Sequence, residues 1–400
     1  MHITPLVNRH AQDAAFYWAQ YGAARHSPLI GPDRLAHFNR LLDAHLDGLL
    51  VAGEVGWDAA FQQLERWQGP GEAFVCAWLA LRDMDSAKIR LIWPVIAAQP
   101  QRVLRGVIAA LVRIDAQSAA LCIQRWMQID GFAPLQVAAL RAAFLRDGDK
   151  VDDLEDFCRK GLQSPDPYVQ AAACRLASRV EAGDIRQALQ ERRKHPDTNI
   201  SAEAAISLLK TDDQSAWSFL ADAITAEAAE LNGLSGWERD QAIHKLTRWV
   251  QHAGIHAAEN EQAMPLLRDV LPARAAINLA MYHGHIDSLA WLKRCIAEGK
   301  APRYAGWAWE SITGLDLEAN QFCAPQVYTE ADVLTVLDDD DDAGLRLPIA
   351  ARLPDASTLN LPQGPLLFGL NCNAGRLLEI RNKAPGALAR LAELRLEAMK

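Results

Sequence analysis

The chain has 400 residues, of which 50% are hydrophobic and 23% are charged, and its formal net charge is −9. This apolar content excludes disorder as the main state, because it suffices for a continuous core. The negative charge disfavours nucleic acid and anionic membranes as partners, since either would require a locally basic face. Seven scattered cysteines without a C-x-x-C pair predict reduced thiols and no zinc site.

The first residues carry no pattern typical of an export signal, because polar residues follow within the first ten positions. The longest apolar run, residues 73–81, is far shorter than the roughly 20 residues that a membrane-spanning helix requires. We therefore expect no membrane insertion and a cytoplasmic location.

Residues 1–70 lack a repeat but contain two helical patterns. The segment 33–47 is amphipathic over a long stretch, and the segment 57–67 predicts a second helix. We interpret residues 1–70 as an N-terminal helical cap.

A period of about 32 residues organises the segment 71–325. Alanine-rich helical segments, each ending in charge, recur there, and an insertion near residues 230–236 interrupts their spacing once. One apolar anchor position recurs in each of these segments: Leu81, Leu111, Phe144, Leu176, Leu208, Leu246, Leu279 and Ile312.

A second apolar helical pattern lies between successive anchors, so each repeat contains an alanine-rich helix A and a following helix B. Two helices in such a repeat are typical of an α-solenoid, where neither helix buries its apolar face until the next repeat stacks on it. The predicted fold is therefore all-α, a right-handed solenoid of about seven HEAT-like helix pairs. Four tryptophans of these patterns are expected to pack between layers: Trp78, Trp93, Trp126 and Trp291.

The repeat frame is lost after Leu317, and five consecutive aspartates at 338–342 begin a stretch rich in proline and glycine. This run lacks the alternating ligands and the turn glycine of a calcium loop. Residues 385–399 predict a closing helix. We interpret residues 326–400 as an acidic linker followed by a C-terminal helical region.

No sequence motif typical of catalysis or nucleotide binding is present, so the sequence predicts no enzyme, no cofactor and no metal site. His252 and His256 are one helical turn apart and Glu259 follows them, but Gly254 is expected to interrupt that helix. Surface histidines are therefore the preferred interpretation. His283 and His285 flank a glycine that predicts a structural turn.

Cations recur late in four of the B helices and form what we call the basic column: Arg125, Arg159, Arg192 and Lys293. Two interpretations remain open. The cations suit the negative end of the helix dipole, or stacking aligns them into a basic stripe that binds an acidic partner protein.

Trp307 and Trp309 project about 200° apart on a helix, so we expect one of them to be an exposed interface anchor.

The segments 35–54 and 308–317, together with the repeats, resemble a group of bacterial HEAT-like repeat proteins that are often encoded beside type VI secretion components. The resemblance implies a cytoplasmic Gram-negative setting and an accessory role around a secreted effector or the secretion apparatus. It supplies no catalytic residues.

The sequence thus predicts a non-enzymatic protein-interaction scaffold, a type VI secretion-associated adaptor, chaperone or immunity-like protein. The alternative from another class is a nucleic-acid enzyme of the alkylpurine DNA glycosylase type, also built on HEAT-like repeats. That alternative requires a strongly basic groove with a catalytic carboxylate and aromatic residues facing it.

Overall fold

The structure is a computed structural model that describes residues 3–146, 153–257, 261–324 and 347–399. These residues form 20 α-helices and one two-stranded antiparallel sheet. The predicted all-α class is therefore confirmed.

Internal contacts divide the chain into two compact units. Unit 1 contains residues 1–207 and 381–390, and unit 2 contains residues 208–380 and 391–400. The division into a cap, a solenoid and a C-terminal region at residues 70 and 325 stays a prediction.

The helices of the first half of the chain begin in most cases at proline or after an aspartate, the residues that favour helix starts. They are α1 Thr4–Ala24, α2 Pro32–Ala52, α3 Glu54–Trp67, α4 Pro70–Arg82, α5 Ser86–Ala98, α6 Pro100–Arg113, α7 Ala116–Gln128, α8 Ala133–Leu145, α9 Leu154–Leu162, α10 Pro167–Ala177, α11 Gly183–Arg192 and α12 Thr198–Lys210.

The second half contains eight further helices and the two short strands. They are α13 Trp217–Glu230, α14 Gly236–Ile255, α15 Met264–Val270, α16 Ala273–His283, α17 Ser288–Ala297, α18 Pro302–Thr313, β1 Leu366–Leu367, β2 Leu370–Asn371, α19 Ala374–Lys383 and α20 Gly386–Glu397.

In unit 1, the A helices α4, α6, α8 and α10 pack on one another in sequence order, while the B helices lie between them along the chain. The anchors Leu81, Leu111 and Leu176 are each at most 2% exposed. Phe144 differs, because it is half-buried and Arg179 covers its ring at 4.7 Å.

The A and B helices are buried to different extents. Helix α4 buries nine of its 13 residues, whereas the B helix α11 buries only Ile185 and Leu189 of its 10. An A helix contacts neighbours on several sides, and its alanines let those neighbours approach closely. The B helices therefore present the larger share of residues that the fold itself does not require.

Unit 2 continues the same pattern. Helix α14 packs on α16 and α16 packs on α18, with the anchors Leu246, Leu279 and Ile312 at most 1% exposed. The insertion predicted near residues 230–236 corresponds to a short 3₁₀ turn and to the start of a 20-residue α14.

The hairpin of β1 and β2 closes the helix ends of unit 2. The Leu366 N–H donates to the Gly284 carbonyl at 2.9 Å, and the Phe368 N–H donates to the Ser311 carbonyl at 2.7 Å. These acceptors lie at or just beyond the carboxyl ends of α16 and α18, where helical carbonyls lack partners within the helix.

The contact between α4 and α6 depends on Gly106. A Cβ at this position would lie 2.1 Å from the Pro70 carbonyl oxygen and 2.7 Å from the Phe74 nitrogen. We expect Gly106→Ala to lower the free energy of unfolding by about 1–3 kcal/mol, because the two backbones must separate. Urea unfolding followed by circular dichroism measures the change.

Gly183→Ala is the matched control, because no atom of the described residues lies within 4 Å of a Cβ built there. Its unfolding midpoint should be unchanged or slightly raised. Equal midpoints for the two variants would contradict the close-contact explanation.

Candidate functional site

Three members of the basic column already have partners within the protein. The Arg159 guanidinium donates to Asp184 at 2.7 Å and to Asp156 and Glu155 at 3.0 Å. These hydrogen bonds raise the pKa of Arg159 above its ordinary value; the bond to Asp184 has the largest effect, followed by the bond to Glu155. Lys293 donates to Asp355 at 2.7 Å.

Arg192 is held by backbone carbonyls. Its guanidinium donates to the Ala188 carbonyl in its own helix at 3.2 Å and to the Leu162 carbonyl at the end of the preceding B helix. Arg125 is exposed, and the described residues place no carboxylate within ion-pair distance of it. Of the column, Arg125 is therefore the cation most available to a partner.

Cations that reach back to the previous repeat recur through unit 1. Lys160 donates from α9 to the Met127 carbonyl near the end of α7 at 2.8 Å. Arg146 donates to the Ile114 carbonyl just after α6 at 2.9 Å. The dipole interpretation of late cations thus applies here across repeats, because the carbonyls that accept their bonds belong to the corresponding helix of the preceding repeat.

Removing a hydrogen bond between a cation and a carbonyl of the preceding repeat should lower the stability of the protein. We expect Arg192→Ala to lower the free energy of unfolding by about 1.5–3 kcal/mol, the range for hydrogen bonds to charged groups. Arg125→Ala should change it by less than about 0.5 kcal/mol, as is usual for exposed sites. Urea unfolding of both variants measures the difference, and equal losses would contradict a bridging role for Arg192.

Trp307 and Trp309 are both buried, at 7% and 1% exposure, so the expectation that one of them is exposed is wrong. Helix α18 packs against α16 and α17, while the segment that follows it returns over its other side. Trp309 makes an edge contact with Phe322 at 6.3 Å, and Trp307 lies 5.1 Å from the Tyr304 ring.

The four tryptophans that were expected to pack between layers are buried to different extents. Trp126 is 4% exposed and makes an edge contact with Trp93 at 5.3 Å. Trp93, Trp78 and Trp291 are half-buried. Trp93 and Trp291 lie on the B helices α5 and α17, and Trp78 lies on the A helix α4.

His252 and His256 are buried, at 2% and 8% exposure, so their interpretation as surface histidines is wrong. Gly254 does not interrupt the helix, because α14 runs to Ile255. It permits the contact with α16, where a Cβ would lie 2.9 Å from the Leu279 carbonyl oxygen. Glu259 lies outside the described residues.

Within the described ranges, no three His, Cys, Asp or Glu side chains are grouped so as to hold a metal ion. His283 and His285 flank Gly284, whose φ of +70° ends α16 in the predicted turn. None of the described helices combines the length and apolar character that crossing a bilayer requires.

Burial lowers the pKa of two histidines in unit 2. The pKa of His256 falls to about 4 through desolvation and then the charge of Lys210. That of His283 falls to about 4 through desolvation and then His285 and Arg395. As the pH falls, the unfolded chain should bind protons at these sites near the ordinary histidine pKa, whereas the folded protein binds them only at a lower pH.

This difference predicts a pH dependence of stability. The free energy of unfolding should fall as the pH is lowered from 7 to 5, because protons bind preferentially to the unfolded state in that range. His283→Gln should reduce the fall, whereas the exposed His37→Gln should leave it unchanged. Urea unfolding at pH 7, 6 and 5 measures it, and identical slopes for all three proteins would contradict the assignment.

The structure adds a basic surface that the sequence analysis missed, formed in unit 1 by α1 and α6. The Arg105 guanidinium lies over the Trp18 ring at 5.4 Å, and the Arg25 guanidinium lies over the Tyr21 ring at 6.0 Å. We call Arg25 and Arg105 the arginine pair. The nearest sequence signal was the aromatic-rich end of α1, but Arg105, which lies over Trp18, is 87 residues further along the chain.

The charges of the arginine pair are not balanced within the described residues. No described carboxylate lies within ion-pair distance of Arg25 or Arg105, and both residues are exposed. Partial burial of the Arg105 guanidinium and then the charge of Arg25 lower the pKa of Arg105. The two guanidinium groups therefore repel each other, and an acidic ligand would relieve that repulsion.

Residues 155–232 match the family model of HEAT repeats, and this range holds most of α9 and all of α10 to α13. No curated protein matches the chain, and no solved structure does. Over the matched residues, the chain is similar to HEAT-repeat proteins, in agreement with the helix pairs that the structure shows.

Proposed function

We propose that this protein is a non-catalytic protein-interaction scaffold that binds a partner with an acidic surface. The observation that carries the proposal is the arginine pair, in which each guanidinium group lies over an aromatic ring of α1 and no described carboxylate is within ion-pair distance. Stacked arginines are favoured interface anchors, because they contribute both apolar contact area and charge. Arg125 provides a further exposed cation in the same unit.

The repeat architecture supports the same proposal. B helices that bury as few as two residues leave a large surface free of folding constraints. Repeated helix pairs of this kind form extended surfaces that commonly bind proteins. The fold is compatible with many functions, so the functional argument rests on the arginine pair.

The finer assignment follows from the family resemblance of the sequence. We propose a cytoplasmic accessory role in type VI secretion, as an adaptor, a chaperone or an immunity-like protein. The HEAT-repeat match supports the scaffold class and gives no particular support to the DNA glycosylase alternative.

Charge reversal of the arginine pair tests the proposal. We expect the double variant Arg25→Glu, Arg105→Glu to lose the partner that wild-type protein retains from its native host, because the attraction is replaced by repulsion. Quantitative mass spectrometry of co-purified proteins measures the loss. Wild-type binding should weaken steeply between 50 and 300 mM salt, since the contact is exposed and screened.

The matched control is Arg186→Glu, which reverses an exposed arginine on the B helix α11. It should retain the partner, while Arg125→Glu should weaken retention partially. A partner retained equally by the double variant would contradict the proposal. Binding of wild-type protein to a 20-base-pair DNA duplex, lost in the double variant, would favour the nucleic-acid alternative instead.

A further inference from the structure

A cavity of about 400 Å³ lies in unit 2 among α15, α16, α17 and the residues that follow α17. Three cations line it, Arg268, Arg294 and Lys300, together with two carboxylates, Asp269 and Glu298. Its volume falls in the range of sites that hold small molecules.

Arg268 is the unusual residue of this cavity. Its Nε and Nη1 atoms are buried, and no described residue accepts a hydrogen bond from either. The guanidinium lies over the Trp291 ring at 4.9 Å, which holds it in place beside the cavity. Buried charged donors without acceptors are costly. Nη2 is not among the buried atoms of this guanidinium group, so it is the donor that an acceptor in the cavity can reach.

The two carboxylates do not supply that acceptor. Glu298 is paired with Lys300, with 2.8 Å between Oε2 and Nζ. Asp269 is exposed and accepts no bond from Arg268 Nε or Nη1. Burial lowers the pKa of Arg268. The negative charge of Asp269 raises that pKa, and the positive charge of Arg294 lowers it.

The positive charge of the cavity indicates the class of ligand that it binds. Once Lys300 is paired with Glu298, Arg268 and Arg294 are the cations that line the cavity without a hydrogen-bonded carboxylate among the described residues. A phosphate monoester carries about −1.5 to −2 charges at pH 7 and offers three acceptor oxygens. Such a group matches two guanidinium groups better than a single carboxylate does.

We propose that this cavity binds the phosphate group of a small phosphorylated molecule, with Arg268 and Arg294 donating to its oxygens. Leu271, Ala273 and Ala276 provide the apolar part of the lining, against which the remainder of the ligand packs. The proposal goes beyond the scaffold function and does not depend on it, because every residue of the cavity lies in unit 2, whereas the arginine pair lies in unit 1.

The test is isothermal titration of the full-length protein with inorganic phosphate at pH 7.5 and constant ionic strength. We expect saturable binding of one phosphate per chain that is at least tenfold weaker in Arg268→Gln and in Arg294→Gln. Arg294 is exposed, so its replacement keeps the fold and the test remains decisive if Arg268→Gln is poorly folded. Circular dichroism checks the helix content of each variant.

The exposed Arg186→Gln serves as the matched control and should bind phosphate like the wild type. Succinate at the same ionic strength distinguishes the ligand class, and it should bind at least tenfold more weakly than phosphate. The proposal is wrong if phosphate binding does not saturate, if Arg294→Gln binds as the wild type does, or if succinate binds as tightly as phosphate.

Discussion

The close approach of neighbouring A helices is the constraint on which the rest of each unit depends. In unit 1, Gly106 allows α6 to contact the backbone of α4, and in unit 2, Gly254 allows α14 to contact that of α16. Small residues at these contacts bring whole helices within van der Waals range, so dispersion and apolar burial accumulate along their length. The A helices consequently have little surface left for other purposes.

Most late cations of unit 1 then become structural. The last carbonyls of a helix have no partners within that helix, and Lys160, Arg192 and Arg146 donate to such carbonyls from the next repeat. Such bonds fix the stacking of successive repeats. They also occupy donors that these cations could otherwise offer to a partner.

The cations available to bind a ligand or partner are therefore those that make no such structural hydrogen bond. Within the described part of the chain, the arginine pair of unit 1 lies on aromatic rings without a carboxylate in ion-pair distance, and Arg268 of unit 2 has buried donors without acceptors. Each arrangement places positive charge where the fold gains little from it. We propose an anionic ligand for each, an acidic protein surface in the first case and a phosphate group in the second.

The sequence by itself determined the all-α class, the repeat period and the anchor positions, because alanine and leucine periodicity reports local helix faces directly. It also placed the turn at Gly284. Only the tertiary structure decided the partners of Arg159 and Arg192, the burial of both Trp307 and Trp309, the burial of His256 and the existence of the arginine pair. These features depend on which helices meet, and residues far apart in the chain leave no common local pattern when they come together in space.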